Sequence, residues 1–174
     1  MTARSNRGPV PSLALAAAVG LGIITGARAD DRSLLAFSAG QYNIADQEHA
    51  AAEVGVQWRG AGRWWVLHPM AGGAVTHQGA VNLYLGFTFD LPIGQRFAFR
   101  PSFAPGYYRR GGGKDLGYPL EFRSGLEAAW RFARGTRLGV ELYHLSNASL
   151  GDRNPGENAL VLTIAVPMAK LFGR

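Results

Sequence analysis

Residues 82–91 read Asn-Leu-Tyr-Leu-Gly-Phe-Thr-Phe-Asp-Leu, and their apolar members Leu83, Leu85, Phe87, Phe89 and Leu91 fall on every second position. Successive side chains of a β-strand leave by opposite faces, so this spacing predicts a strand with one greasy and one polar face. The period returns along the chain. Phe97, Phe99, Phe103 and Tyr107 alternate with Ala98, Arg100, Ser102 and Ala104. Leu120, Phe122, Leu126, Trp130 and Phe132 face away from Glu121, Arg123, Glu127 and Arg131. Leu138, Val140 and Leu142 alternate with Arg137, Gly139 and Glu141, and Leu160, Leu162, Ile164, Val166 and Met168 with Val161, Thr163 and Ala165. Shorter runs near Leu35 to Tyr42, Val54 to Arg59 and Trp64 to Gly72 bring the expected count to eight strands. No window carries the 3.6-residue period of an amphipathic helix.

The connections sort into two kinds. Gly60-Ala61-Gly62, Pro92 to Gln95 and Arg134-Gly135 read as tight turns, while Ala45 to Ala50, Gly73 to Gly79, Arg109 to Tyr118 and Asn147 to Gly156 read as longer loops. An up-and-down order puts all the tight turns at one end and all the loops at the other, the asymmetry of an outer-membrane barrel. The expected fold is therefore all-β, an eight-stranded antiparallel up-and-down transmembrane β-barrel. The polar face carries Glu53, Arg59, Arg100, Glu121, Arg123, Glu127, Arg131 and Glu141, charges that can pair across a narrow lumen. The opposite face is crowded with Phe, Leu and Trp, as a lipid-facing wall requires. A soluble barrel binding an apolar ligand inside would reverse the two faces.

The first residues have the form of a signal peptide. Arg4 and Arg7 precede the apolar run Leu13 to Ile24, and Ala27-Arg28-Ala29 offers a small-x-small cleavage site. The expected division is a leader at 1–29 and a barrel domain at 30–174. Arg4, Arg7 and Arg28 would leave with the leader and no acid would, so the formal charge falls from +6 to +3. Nothing resembles the basic, aromatic-interleaved stripe of a nucleic-acid surface. There is no cysteine, so backbone ladders rather than disulfides must hold the exported chain.

The chemistry concentrates in Tyr143-His144-Leu145-Ser146-Asn147-Ala148 and the following Asn154-Pro155-Gly156-Glu157-Asn158. His144 and Ser146 lie two apart on one strand, so both leave by the same face, with Cβ atoms about 6.5–7 Å apart. A neutral imidazole beside a hydroxyl can act as its general base. Their phase continues Leu138, Val140 and Leu142, the lipid side, at the loop end of the strand. Polar groups there are costly unless used, and an enzyme opening into lipid should act on a lipid.

These residues resemble the lipid A 3-O-deacylase (PagL) family of outer-membrane enzymes. The family carries His-x-Ser-Asn-Ala at the end of its penultimate strand, here His144-Leu145-Ser146-Asn147-Ala148, and an acidic partner at the start of its last strand. The resemblance implies Ser146 as nucleophile, His144 as base, and an oxyanion hole from Asn154 and the backbone N–H near Ser149. It implies hydrolysis of the 3-position ester of lipid A without metal or cofactor. The expected partners are lipopolysaccharide as substrate and the outer membrane, with no nucleic acid and with a homodimer as a candidate assembly. The sequence departs from the family where the acid should stand. Aligned on Pro167, that position is Asn158, and Glu157 is one residue earlier, where a strand turns its side chain to the other face. Either an irregular backbone lets Glu157 swing to His144, the preferred of the two, or Asn158 orients the imidazole as a neutral partner. A non-enzymatic barrel, used for adhesion or envelope integrity, is the alternative in which His144 and Ser146 are incidental. His49, His68 and His77 lack metal-ligand spacing.

Overall fold

A computed structural model describes residues 32–45, 49–61 and 67–173. The leader at 1–29, Gly62 and the Trp64-Trp65 stretch expected to open the third strand lie outside the described residues. The strands are β1 (Leu34–Tyr42), β2 (Ala51–Arg59), β3 (Leu67–Thr76), β4 (Val81–Phe89), β5 (Leu91–Ile93), β6 (Phe97–Arg109), β7 (Leu120–Arg131), β8 (Arg137–Ser146) and β9 (Glu157–Pro167), with a last turn α1 (Met168–Leu171). Each long strand pairs antiparallel with its sequence neighbours, β4 pairs with β6, and β1 pairs with β9, which closes the sheet into a barrel.

The short β5 is a continuation of β4. Val81 stands opposite Arg109 and Leu91 opposite Phe99, so both pieces hold one register against β6. The β4–β6 ladder is interrupted opposite Pro101 and Pro105, each of which withdraws an N–H from β6. Eight walls result, as the alternation predicts.

The faces divide as expected. Glu53, Arg59, Arg100, Glu121, Arg123, Glu127 and Glu141 are all buried inside, while Leu83, Leu85, Phe87, Phe103, Leu126, Val140 and Leu162 are exposed outside. The enclosed charges pair: Arg59 Nη1 with Glu127 Oε2 at 2.9 Å, Arg123 Nη1 with Glu141 Oε1 at 2.8 Å, and Arg137 Nη2 with Asp90 Oδ2 at 2.9 Å. Tyr143 donates its hydroxyl to Glu53 at 2.6 Å. No helix among the described residues is long and apolar enough to cross a membrane, and the greasy outer wall is made by strands.

One connection differs from expectation. Gly73 to Gly79 is not a loop, because β3 runs on to Thr76 and turns through a short link in which Gly79 N–H donates to Thr76 O at 2.9 Å. Gly72 marks a close approach instead, since a Cβ there would lie 2.6 Å from the Tyr84 hydroxyl. The site-bearing end is thus built from three longer loops and one short turn.

Glu127 faces Arg59 and Arg100 together, with Arg100 Nε at 3.9 Å. Glu127→Ala should cost about 3–5 kcal/mol, because two buried guanidinium groups lose their counter-charge. Leu85→Arg, at the middle of the outer face of β4, should cost roughly 2–4 kcal/mol in a bilayer and almost nothing if that wall faced water. Urea titrations of barrels folded into lipid vesicles would measure both.

Candidate active site

The last turn of β8 and the first residues of β9 bring the chemistry together. His144 pairs with Ser124 of β7 on one side and Asn158 of β9 on the other, and its imidazole is exposed on the outer wall. Its Nδ1 lies 3.0 Å from Asn158 Oδ1. An amide oxygen only accepts, so Nδ1 donates here, and in the neutral imidazole the lone pair is on Nε2. Ser146, half-buried at the end of β8, shares this face two residues on. Gly156 seals the ring from the β9 side: it holds a left-handed φ of 59°, and a Cβ there would lie 2.8 Å from His144 Cε1 and 3.2 Å from Nε2.

Glu157 does not join this group. It pairs with Leu145, whose side chain is fully buried, and it points into the lumen with only 2% of its surface exposed. There its Oε2 accepts the Asn43 N–H at 2.9 Å. The backbone is regular from Glu157 onward, so alternation alone sends Glu157 inward and Asn158 outward. Of the two residues expected to compete for the third place, the structure brings Asn158 beside His144 and keeps Glu157 in the lumen.

The loop after Ser146 is organised by Asn147, a residue of the motif to which the sequence assigns no task. Asn147 is completely buried, and its Nδ2 donates to Leu116 O at 2.9 Å and to Arg153 O at 2.8 Å. Its Oδ1 accepts the Ser149 N–H at 2.9 Å, and its own N–H donates to Asn154 Oδ1 at 3.0 Å. Two positions expected at the oxyanion hole are thereby sorted. The Ser149 N–H is engaged by Asn147, whereas Asn154, held through its oxygen, keeps its Nδ2 hydrogens for another acceptor. Ala148 and Ser149 both sit at positive φ, 51° and 62°, which turns the chain sharply away from the end of the strand.

A second tie joins this loop to the one between β6 and β7. Asp115 accepts from Arg153 at 2.6 Å and Gly117 N–H at 2.9 Å, with Arg110 at 3.5 Å. The Gly117 N–H, helped by Arg153 and Arg110, holds the Asp115 carboxyl below its usual range. The tie is therefore complete above the ordinary carboxylate pKa and is lost only as pH falls through the lowered value. Behind the site, Tyr42, Tyr108, Leu116, Tyr143, Leu145, Ala159 and Val161 fill the end of the lumen, so His144 and Ser146 are approached from outside the barrel. His68 and His77 serve the backbone, at Gly60 O and the Ala52 N–H. Among the described residues no group of three or more His, Cys, Asp or Glu side chains is placed to hold a metal ion.

The sequence matches the family described as lipid A 3-O-deacylase (PagL) over residues 38–167. The chain belongs to the PagL family. The crystal structure of the outer membrane enzyme PagL superposes with a TM-score of 0.59 at 22% identity, covering 78% of this chain and 99% of that one. A de novo designed transmembrane β-barrel superposes with a TM-score of 0.55 at 14% identity, covering 76% and 92%. Those two likenesses speak for the barrel; membership rests on the sequence match. No curated protein sequence matches the chain. As a PagL-family barrel, the protein belongs in the outer membrane of a Gram-negative cell.

Gly156→Ala should displace the imidazole while leaving the barrel folded. Deacylation should fall about a hundredfold, as a misplacement near 1 Å commonly costs. Heat-modifiable migration on a gel would confirm the intact barrel.

Proposed function

We propose that this PagL-family protein is a serine esterase that removes the 3-O-linked acyl chain of lipid A, using a Ser146–His144–Asn158 triad that opens into the outer leaflet. The observation that carries the reading is the His144–Asn158 pair at 3.0 Å on the lipid-facing wall, beside Ser146. Asn158 holds Nδ1–H, so Nε2 is the nitrogen available to Ser146. Ser146 Oγ attacks the ester carbonyl as its proton passes to Nε2. The carbonyl oxygen becomes an oxyanion, which Asn154 Nδ2 stabilises. Collapse breaks the bond to the sugar 3-oxygen, which takes the proton from His144, and leaves the acyl chain on Ser146. Water then repeats the sequence, releasing a 3-hydroxy fatty acid and restoring the serine. The cycle calls on no metal or cofactor.

An amide in the third position suits the location. An ionised carboxylate on a lipid-facing wall would carry a heavy desolvation cost, while an amide orients the ring at much lower expense. The amide does not offset the charge of the imidazolium that forms during attack, so a slower enzyme than one with an acid there is the expected consequence.

Refolded protein incubated with purified lipopolysaccharide should lower the lipid A mass by one 3-hydroxy fatty acid. Ser146→Ala and His144→Ala should each reduce that rate by at least about a thousandfold. Asn158→Ala should reduce it about ten- to a hundredfold through loss of ring orientation. Glu157→Gln, remote from the outer wall, should stay within a factor of about three. Unchanged lipid A with well-folded protein would defeat the esterase reading, and a Glu157→Gln loss as deep as His144→Ala would defeat the assignment of Asn158.

A further inference from the structure

The outer wall beside the site carries a groove with an apolar floor and a cationic rim. Its lower part, about 340 Å³, lies between the ends of β6 and β7 and is lined by Gly106, Tyr107, Tyr118, Pro119 and Leu120. Its upper part shares Tyr107, Tyr118 and Pro119 and rises to Arg109, Arg110 and Asp115. The two parts are continuous. Tyr107 and Tyr118 are 54% and 43% exposed, so about half of each aromatic side chain is turned outward.

Register connects the groove to the chemistry. Ser146 stands opposite Phe122 on β7, Phe122 opposite Pro105 on β6, and the next outward pair toward the loops is Leu120 with Tyr107. The path from the serine to Tyr107 thus crosses two strand spacings and climbs two residues, about 12 Å in a straight line. Arg109, one outward position beyond Tyr107, is exposed, and its guanidinium has no ion-pair or hydrogen-bond partner among the described residues. Arg110, by contrast, is tethered to Asp115. A free guanidinium above an aromatic slot matches an amphiphile that carries phosphate at its head and alkyl below. The fork geometry of arginine suits phosphate oxygens, and tyrosine faces pack along methylenes.

We propose that this groove is a second subsite for the lipid whose ester is cleaved, with Arg109 on one of its phosphates and a neighbouring acyl chain against Tyr107 and Tyr118. The proposal rests on the deacylase reading and adds to it the feature of the substrate that is recognised away from the reacting bond.

The test compares wild type with Arg109→Gln on bisphosphorylated lipid A and on the same lipid A chemically dephosphorylated. Two readouts are taken, kcat/KM for fatty acid release and retention of each lipid by the detergent-solubilised barrel in native mass spectrometry. Wild type should prefer the phosphorylated lipid about tenfold, the measure of one charge-assisted hydrogen bond at an exposed site, and Arg109→Gln should bring that ratio toward one. Tyr118→Ala should weaken retention of both lipids. An unchanged ratio in Arg109→Gln overturns the subsite while leaving the esterase reading standing. Loss of phosphatidylglycerol retention in Arg109→Gln with an unchanged hydrolysis ratio assigns the groove to a bystander lipid and also overturns it. Retention that depends on Arg109 and on phosphate, without hydrolysis by wild type, would support the subsite and sink the esterase.

Discussion

The ladder between β1 and β9, from Leu34 opposite Pro167 to Gln41 opposite Leu160, is the constraint on which the rest of the molecule depends. A wall facing hydrocarbon has no water to satisfy its peptide groups, so each N–H and C=O must find a partner within the sheet. An open sheet would leave β1 and β9 as unpaired edges in that medium. Once the ladder closes, β9 is fixed beside β8, and residues far apart in sequence, such as Asn43 and Glu157, meet at one rim.

Closure also fixes the faces, and through them the chemistry. With β8 and β9 locked in register, His144 meets Asn158, and Leu145 meets Glu157. The same alternation that hides Glu127 and Arg123 in the lumen hides Glu157 there, while His144, Ser146 and Asn158 emerge into the lipid phase. A hydrolase that takes substrate from the membrane plane needs its polar groups on that side. The plug of Tyr42, Tyr108 and Leu116 behind them makes the lumen a support rather than a passage.

Much of this was legible in the residues because strand alternation is a local property. The eight walls, the buried charges and the outward phase of His144 and Ser146 all follow from counting by two. What escaped depends on longer-range contacts. Gly73 to Gly79 reads as a loop, yet β3 runs on to Thr76, and Gly72 within it admits the Tyr84 hydroxyl from the neighbouring strand. Which of Glu157 and Asn158 stands beside His144 depends on whether the backbone stays regular at the start of β9, which no composition reveals. Asn147 stands in the motif without an evident task; the bonds of its side chain become visible only when the loops around Leu116 and Arg153 are brought together.

The central claim, a serine activated by a histidine and an asparagine on the lipid-facing wall, can be tested without any assumption about the natural substrate. The folded barrel would be treated with a long-chain alkyl fluorophosphonate in detergent, and the modified peptide located by mass spectrometry. One adduct is expected, on Ser146, formed quickly by wild type, slowly by Asn158→Ala, and not by His144→Ala. Labelling that ignores His144, or that falls on a residue other than Ser146, would contradict it.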